Sequence, residues 1–443
     1  MPSIFADITP LRESANYRRL WLGQALANIG TMLTATAVSL QVYDLTESSL
    51  AVGLLGGFAL GPVVILGLYG GALVDAYDRR KVALTASCVM WLATFGIVLQ
   101  AYLDLANVWL LYALVATQSG ATSVSSPARS AIIPRLVPLR QLPAANALNT
   151  MTFSIATLCG PMVGAWLVVA IGYGPTYLID AVTFTAALYA LLRLPPMPPL
   201  PPAKPGADDD QGSRPDARPS GSRAVGWRSV WEGLRFLAVR RNLLMTFLAD
   251  FCAMILAFPR TAFPAIAVVI IGGGKPVAGI LAACLALGTL AASVFSGPLG
   301  RVRYQGRGVI VSVATWGGGI AFAGLVLVLA GRTSPGHIIW WALIGVGAGL
   351  AVAGAADTIS AVFRGTILQA ATPDHLRGRL QGVFIVVVTG GPRLGDMVTG
   401  VDSDFLGEGW AILAGGLACS VAVVALSRWH RAFWRYDAQN PVA

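Results

Sequence analysis

Between Arg19 and Asp44 the chain reads Leu-Trp-Leu-Gly-Gln-Ala-Leu-Ala-Asn-Ile-Gly-Thr-Met-Leu-Thr-Ala-Thr-Ala-Val-Ser-Leu-Gln-Val-Tyr, twenty-four residues without a charge. A helix needs about 20 predominantly apolar residues to cross a bilayer. Stretches with few or no charges recur from Glu47 to Asp75, Lys81 to Asp104 and Asp104 to Arg129. Others lie around 145–171, 174–192, 242–271, 277–299, 308–330, 337–361, 380–401 and 409–427. That makes twelve candidate spans, six on each side of residues 195–241. Lipid offers the backbone no hydrogen bonds, so only helices and closed barrels cross it, and runs this long and apolar are helices. The first run follows a polar arm and lacks a short apolar core with a cleavage site, so it reads as a retained span.

Composition agrees. Of 443 residues, 56% are hydrophobic and 12% charged, with a mean hydropathy of +0.68. Soluble domains carry about 25% charged residues, which excludes a soluble enzyme. The 50 glycines and 26 prolines do not signal disorder, because disordered chains are poor in apolar residues. The net charge of +10 has a topological meaning. With the N-terminus placed inside, 27 of the 31 basic residues fall in inside segments. They include Arg12, Arg18 and Arg19, then Arg79, Arg80 and Lys81, and at the end Arg428, Arg431 and Arg435. Lys275 and Arg332 alone fall in outside loops, and Arg260 and Arg393 lie within spans. This bias orients a multi-pass protein with both termini cytoplasmic and makes the lipid bilayer, with no nucleic acid, its partner.

Cys88, Cys159, Cys252, Cys284 and Cys419 lie in apolar runs at no ligand spacing, and His337, His375 and His430 near helix ends. They give no metal site. The string Gly345-Val-Gly347-Ala-Gly349 lies inside an apolar helix with no strand before it, so it serves close packing rather than dinucleotide binding. No Walker-type phosphate loop occurs, so the expected energy source is an ion gradient and no cofactor is needed.

The two halves are related. At an offset of 226, Asn16 matches Asn242 and Gly71 matches Gly297. At an offset of 235, Arg129 matches Arg364, Gly160 matches Gly395, and Met162-Val163 match Met397-Val398. The reading is an N-terminal half (1–194), a C-terminal half (242–443) and a Pro-rich cytoplasmic linker (195–241). Within the linker, Trp227, Trp231 and Leu234 share one helical face, as on a helix lying on the inner leaflet or packed on the bundle. Parallel repeats of this kind place a substrate site between the halves and work by alternating access.

Between the second and third runs the chain reads Gly71-Ala-Leu73-Val-Asp75-Ala-Tyr-Asp78-Arg79-Arg80-Lys81. This resembles the G-x-L-a-D-r-x-G-R-[RK] loop of the major facilitator superfamily, with Asp78 in place of a glycine. The resemblance implies a twelve-helix major facilitator fold and an inner gate in which Gly71, Asp75, Arg79 and Arg80 take part, with Arg129, Asp357 and Arg364 at the same end of the membrane. The counterpart Gly297-Pro-Leu299-Gly-Arg301 lacks the acid, so the gate reads as one-sided. Gly160-Pro161-Met-Val-Gly164-Ala165 resembles the family's antiporter segment G-P-x-x-G-G, which is associated with export. The usual arginine of drug/proton antiporters in the fourth run is absent, with Ala116 standing there before Gln118. Arg260-Thr-Ala-Phe-Pro264-Ala-Ile-Ala and Thr366-Ile-Leu368-Gln369-Ala-Ala-Thr372-Pro373, followed by Gly378-Arg379, resemble segments of the enterobactin (catecholate siderophore) exporter group. Multidrug efflux pumps share much of the pattern.

Charges inside spans are functional candidates, because each costs several kcal/mol at the bilayer centre. Asp250 lies about eight residues into the seventh run from the cytoplasm, with no cation near it in sequence, and is the first proton-coupling candidate. Asp180 and Asp396 are the others. Arg260 stands between Pro259 and Pro264, where the helix should be distorted, and is a candidate for gripping an anionic or catecholate ligand. On a straight helix Asp250 and Arg260 would point about 80° apart, so they do not read as a pair. Arg393 and Asp396, three apart, are close enough to pair, and Asp357 and Arg364, seven apart, read as an ion pair near the cytoplasmic end. Gln24 and Arg393 complete the substrate-binding candidates.

The expectation is a monomeric exporter in a bacterial inner membrane. It moves a siderophore-like small molecule out of the cell against inward protons. A multidrug efflux pump, an uptake facilitator or symporter, and a membrane receptor without transport are the alternatives.

Overall fold

The computed structural model describes residues 8–138, 141–197, 235, 240–295, 302–371 and 374–437, with the backbone alone described at 68–72, 74–76, 143, 146–147, 369–371 and 374–389. The proposed linker helix with Trp227, Trp231 and Leu234, and the segment Gly297–Arg301, lie outside the described residues. So do Thr372 and Pro373, and the side chains at Gly71, Asp75, Gln369, Gly378 and Arg379.

Twelve long helices are described. The first six are α1 (Ala15–Thr46), α2 (Ser49–Ala76), α3 (Arg79–Tyr102), α4 (Val108–Ile132), α5 (Leu142–Ile171) and α6 (Tyr173–Leu192). The second six are α7 (Arg241–Leu256, continued irregularly to Ile270), α8 (Lys275–Val294), α9 (Gln305–Ala330), α10 (Trp340–Ala371), α11 (Asp374–Leu406) and α12 (Glu408–Trp429). Among the described residues, ten are long and apolar enough on their own to cross a membrane. α4 carries polar runs, Thr117-Gln118-Ser119 and Ser123 through Ser126.

Short polar residues start these helices. The side chains of Ser14, Ser48, Asp78 and Asn107 each accept a hydrogen bond from a first-turn backbone N–H. Asp78, the departure from the loop signature, accepts from both Arg80 and Lys81 N–H, and its other oxygen accepts from Met197 N–H at 3.0 Å. A carboxylate there caps α3 and suits the positive end of its dipole. Prolines stand inside α2 (Pro62), α4 (Pro127), α5 (Pro161) and α11 (Pro392). Each lacks the N–H that would donate to the preceding turn.

Packing follows the repeat. In the first half α1 packs on α5 and α6, α4 on α2 and α3, and α3 on α6. Adding six to each number gives the principal pairs of the second half: α7 on α11 and α12, α10 on α8 and α9, and α9 on α12. Between the halves α2 packs on α11 and α5 on α8, a symmetric exchange of the same kind. Small residues permit these approaches. A side chain at Gly279 of α8 would sit 2.9 Å from Met162 Cα and Ala165 Cβ of α5, and one at Gly400 of α11 3.2 Å from Gly53 Cα of α2. Large apolar side chains such as Leu92, Trp166, Leu329, Ile344 and Val421 face outward, where lipid tails replace water.

Candidate transport site

The seventh helix supplies the irregular backbone. Its regular part ends at Leu256, and a 3-10 turn (Arg260–Ala262), one α turn (Phe263–Ala265) and a π turn (Ile266–Ile270) follow. Pro259 and Pro264 account for the break, since neither can donate to a preceding carbonyl. Backbone polar groups freed inside a membrane need new partners. Thr399 of α11 donates to Phe258 O at 2.8 Å, while Thr261 donates to the Asp396 carboxylate at 2.8 Å. α11 thus holds the break in place. The 80° angle derived for a straight helix therefore does not describe Asp250 and Arg260.

At this break Arg260 is exposed, while Arg393 and Asp396 of α11 are partly exposed. Asp396 is near enough to both arginines to feel their charge. Arg393 and Asp396, which their spacing allows to pair, form no ion pair; Asp396 accepts from Thr261 instead. The third residue of a helical triplet can reach its neighbour, but here the Thr261 hydroxyl is the closer partner. Gly56 of α2 makes room for the Asp396 side chain, since a Cβ at Gly56 would lie 2.8 Å from Asp396 Cβ. Asp396 therefore sits where α2, α7 and α11 meet.

A second cluster lies toward the basic end of the bundle. Arg364 of α10 forms an ion pair with Asp250 of α7, and its other Nη lies 3.4 Å from Asp357. Arg364 and Asp250 side chains are each 5% exposed and Asp357 32%. The structure thus corrects the expectation that Asp250 lacks a cation. Helix 10 delivers one, through a contact that residues 114 positions apart in sequence could not reveal.

Asp180 of α6 is fully buried, close to Thr34, and lies against Gly30 of α1, where a Cβ would strike the carboxylate. Gln24 of α1 donates to Asn28 Oδ1 at 2.7 Å, and its own Oε1 has no partner. Gly160 and Gly164 of α5 face α1 at Met32 and Leu33, where a Cβ at Gly164 would lie 3.1 Å from Leu33 Cα. The repeat-related Gly395 of α11 faces Met254 of α7 in the same way.

The loop-signature arginines bond within the first half. Arg80 donates to Leu191 O at 3.0 Å and Leu192 O at 2.6 Å, closing the end of α6. Arg79 reaches Ala131 O at 3.4 Å, and Arg129 donates to Ser87 Oγ at 2.8 Å.

Sequence reading missed a third group at the opposite end. Lys275 of α8 pairs with Asp44 of α1 at 2.6 Å and stands 4.7 Å from the Tyr173 ring centroid. The Tyr173 hydroxyl donates to the same carboxylate at 2.7 Å. Lys275 can reach there because Gly272, Gly273 and Gly274 all have positive φ, a conformation open to glycine and strained for other residues. Ser48 of α2 donates to Asp404 at 3.0 Å, and Ser49 to Glu408 at 3.4 Å. The Lys275–Asp44, Ser48–Asp404 and Ser49–Glu408 bonds join the two halves.

Known proteins agree with this architecture. Residues 5–205 match the family described as MFS_3, transmembrane secretion effector. The chain is 26% identical to the enterobactin exporter EntS of Salmonella typhi over 395 residues, covering 89% of this chain and 87% of that protein. Against the enterobactin exporter EntS of Shigella boydii it is also 26% identical, covering 96% of each. The crystal structure of the POT family transporter PepTSo superposes with a TM-score of 0.71 at 11% identity, covering 94% of this chain and 98% of that one. Twelve described helices in two matching sixes, the family match over residues 5–205 and relatives aligned along most of the chain show a multi-pass membrane protein with the major facilitator fold, similar to bacterial exporters of small molecules.

Proposed function

We propose that this protein exports a small anionic molecule of the siderophore class across a bacterial inner membrane, with both termini cytoplasmic. The observation that carries the reading is Arg260, an exposed residue on the broken segment of α7, with Arg393 and Asp396 near enough for their charges to act on it. Planar guanidinia bind carboxylate and catecholate oxygens through paired N–H groups. Likeness to enterobactin exporters along nearly the whole chain supports the same cargo class.

Alternating access moves the cargo between the halves. In the proposed orientation, the bonds Lys275–Asp44, Ser48–Asp404 and Ser49–Glu408 close the outer end, a state ready to take cargo from the cytoplasm. Protons entering the cell drive the return. Arg364 holds two carboxylates, so a proton on Asp250 frees it to bind Asp357 alone, and loss of that proton restores the bond between α7 and α10. The transporter works as a monomer and needs no cofactor beyond the gradient.

Deleting the gene and measuring secreted catecholate under iron limitation tests this function. Secretion should fall several-fold and return on complementation. Unchanged secretion, with drug susceptibility raised instead, would assign the chain to multidrug efflux.

A further inference from the structure

At the basic end of the second half a cleft of about 440 Å³ opens between α9 and α12. Part of its wall is apolar, formed by Val311, Ala314 and Val424. Its rim carries Arg428, Arg431, Arg435 and Trp434. Arg307 stands over the Trp434 ring at 5.4 Å and adds a fourth guanidinium at the edge. All four arginines are exposed, and among the described residues none has a carboxylate within ion-pair distance. The contrast lies nearby: Arg303 is matched to Asp437 at 2.8 Å.

Away from the rim, the apolar wall runs on into a surface of exposed side chains. Val311 is 49% exposed and Val421 68%. A ligand filling this cleft must therefore present negative charge at the helix ends and hydrocarbon alongside α9 and α12. Basic recesses between helices, with an indole at the interface, match the headgroup and upper chains of an acidic phospholipid.

We infer that this cleft is a binding site for an anionic phospholipid, separate from the transport pathway. Its placement in the inner leaflet rests on the orientation proposed above, whereas its ligand chemistry does not. The headgroup phosphate sits among Arg428, Arg431 and Arg435, and one acyl chain lies along Val311 and Val424.

The test uses the full chain in mild detergent, read by native mass spectrometry with phosphatidylglycerol, phosphatidylcholine or inorganic phosphate added. Phosphatidylglycerol should be retained at least about ten-fold better than phosphatidylcholine, and excess inorganic phosphate should not displace it. Arg428→Gln with Arg431→Gln and Arg435→Gln should bring retention down to the phosphatidylcholine level. Removing the same number of charges elsewhere, at Arg12, Arg18 and Arg19, should not. Val311→Trp, which fills the groove and leaves every charge in place, should weaken retention about five-fold or more, and it decides the matter if the triple variant does not fold. Equal retention of the two lipids, displacement by phosphate alone, or wild-type binding by Val311→Trp would overturn the proposal.

Discussion

Arg364 of α10 forms an ion pair with Asp250 of α7, both side chains 5% exposed, while its other Nη lies 3.4 Å from Asp357 on its own helix. One buried cation touches two acids at once, so a proton on either acid leaves it bound to the other. Removing the cation leaves both acids uncompensated, and breaking a buried pair from one side costs about 3–5 kcal/mol. Arg364→Ala should therefore sharply lower the yield of folded protein, as measured by melting in detergent. Asp250→Asn, which keeps shape and a hydrogen-bond acceptor, should fold nearly normally and lose at least about ten-fold in gradient-driven transport while retaining exchange without a gradient.

The outer pair Asp44–Lys275 is partly exposed, at 37% and 27%. Pairs in such surroundings contribute about 0.2–1 kcal/mol, up to roughly a five-fold change in a population ratio. Lys275→Met should shift the protein by that amount toward the outward-open state, read as spin-label distances between outer loops. The exchange Asp44→Lys with Lys275→Asp should reverse much of the shift; no change in either variant would remove the pair from gating.

Glycines at helix crossings leave no room for additions. At Gly164 a Cβ would stand 3.1 Å from Leu33 Cα and O, and at Gly30 it would strike Asp180 and Thr183. Overpacking of this kind costs about 1–3 kcal/mol. Gly30→Val should be the more damaging, Gly164→Ala the milder, both measured as a lowered melting temperature; Gly61→Ala, with nothing within 4 Å, should be silent.

His430, at the end of α12, lies 3.1 Å from Asn242 Oδ1. Partial burial, and then the nearby Arg241, hold its pKa below the usual value. The unfolded chain therefore binds this proton more readily, so the stability contribution is present above about pH 6.5 and is lost as pH falls through the folded value. Replacing it, as in His430→Gln, should flatten the fall in melting temperature below about pH 6.5; an unaltered pH profile would show that His430 does not contribute.

Much of the fold could be read directly. Charge-free runs such as 20–43 marked the helices, and basic clusters such as Arg79-Arg80-Lys81 marked one side. The distortion at Pro259 and Pro264 was also readable, because proline acts on its own helix. Asp357 and Arg364 came within reach for the same reason, being two turns apart on α10. The Asp250–Arg364 pair was hidden because it depends on how α7 and α10 meet. The Lys275–Asp44 bond was hidden as well, as two charges at run ends carry no mark of facing each other. At Arg393 and Asp396 helical spacing allowed a pair, and a hydroxyl from another helix took the carboxylate instead.

The most direct test reconstitutes the purified chain in liposomes with a catecholate siderophore and imposes a pH gradient across the membrane. Cargo should accumulate against its own gradient in the direction opposite to proton flow, collapse with a protonophore, and weaken at least about ten-fold in Arg260→Gln. Accumulation unaffected by the gradient, or transport of cargo in the same direction as protons, would contradict proton-driven export.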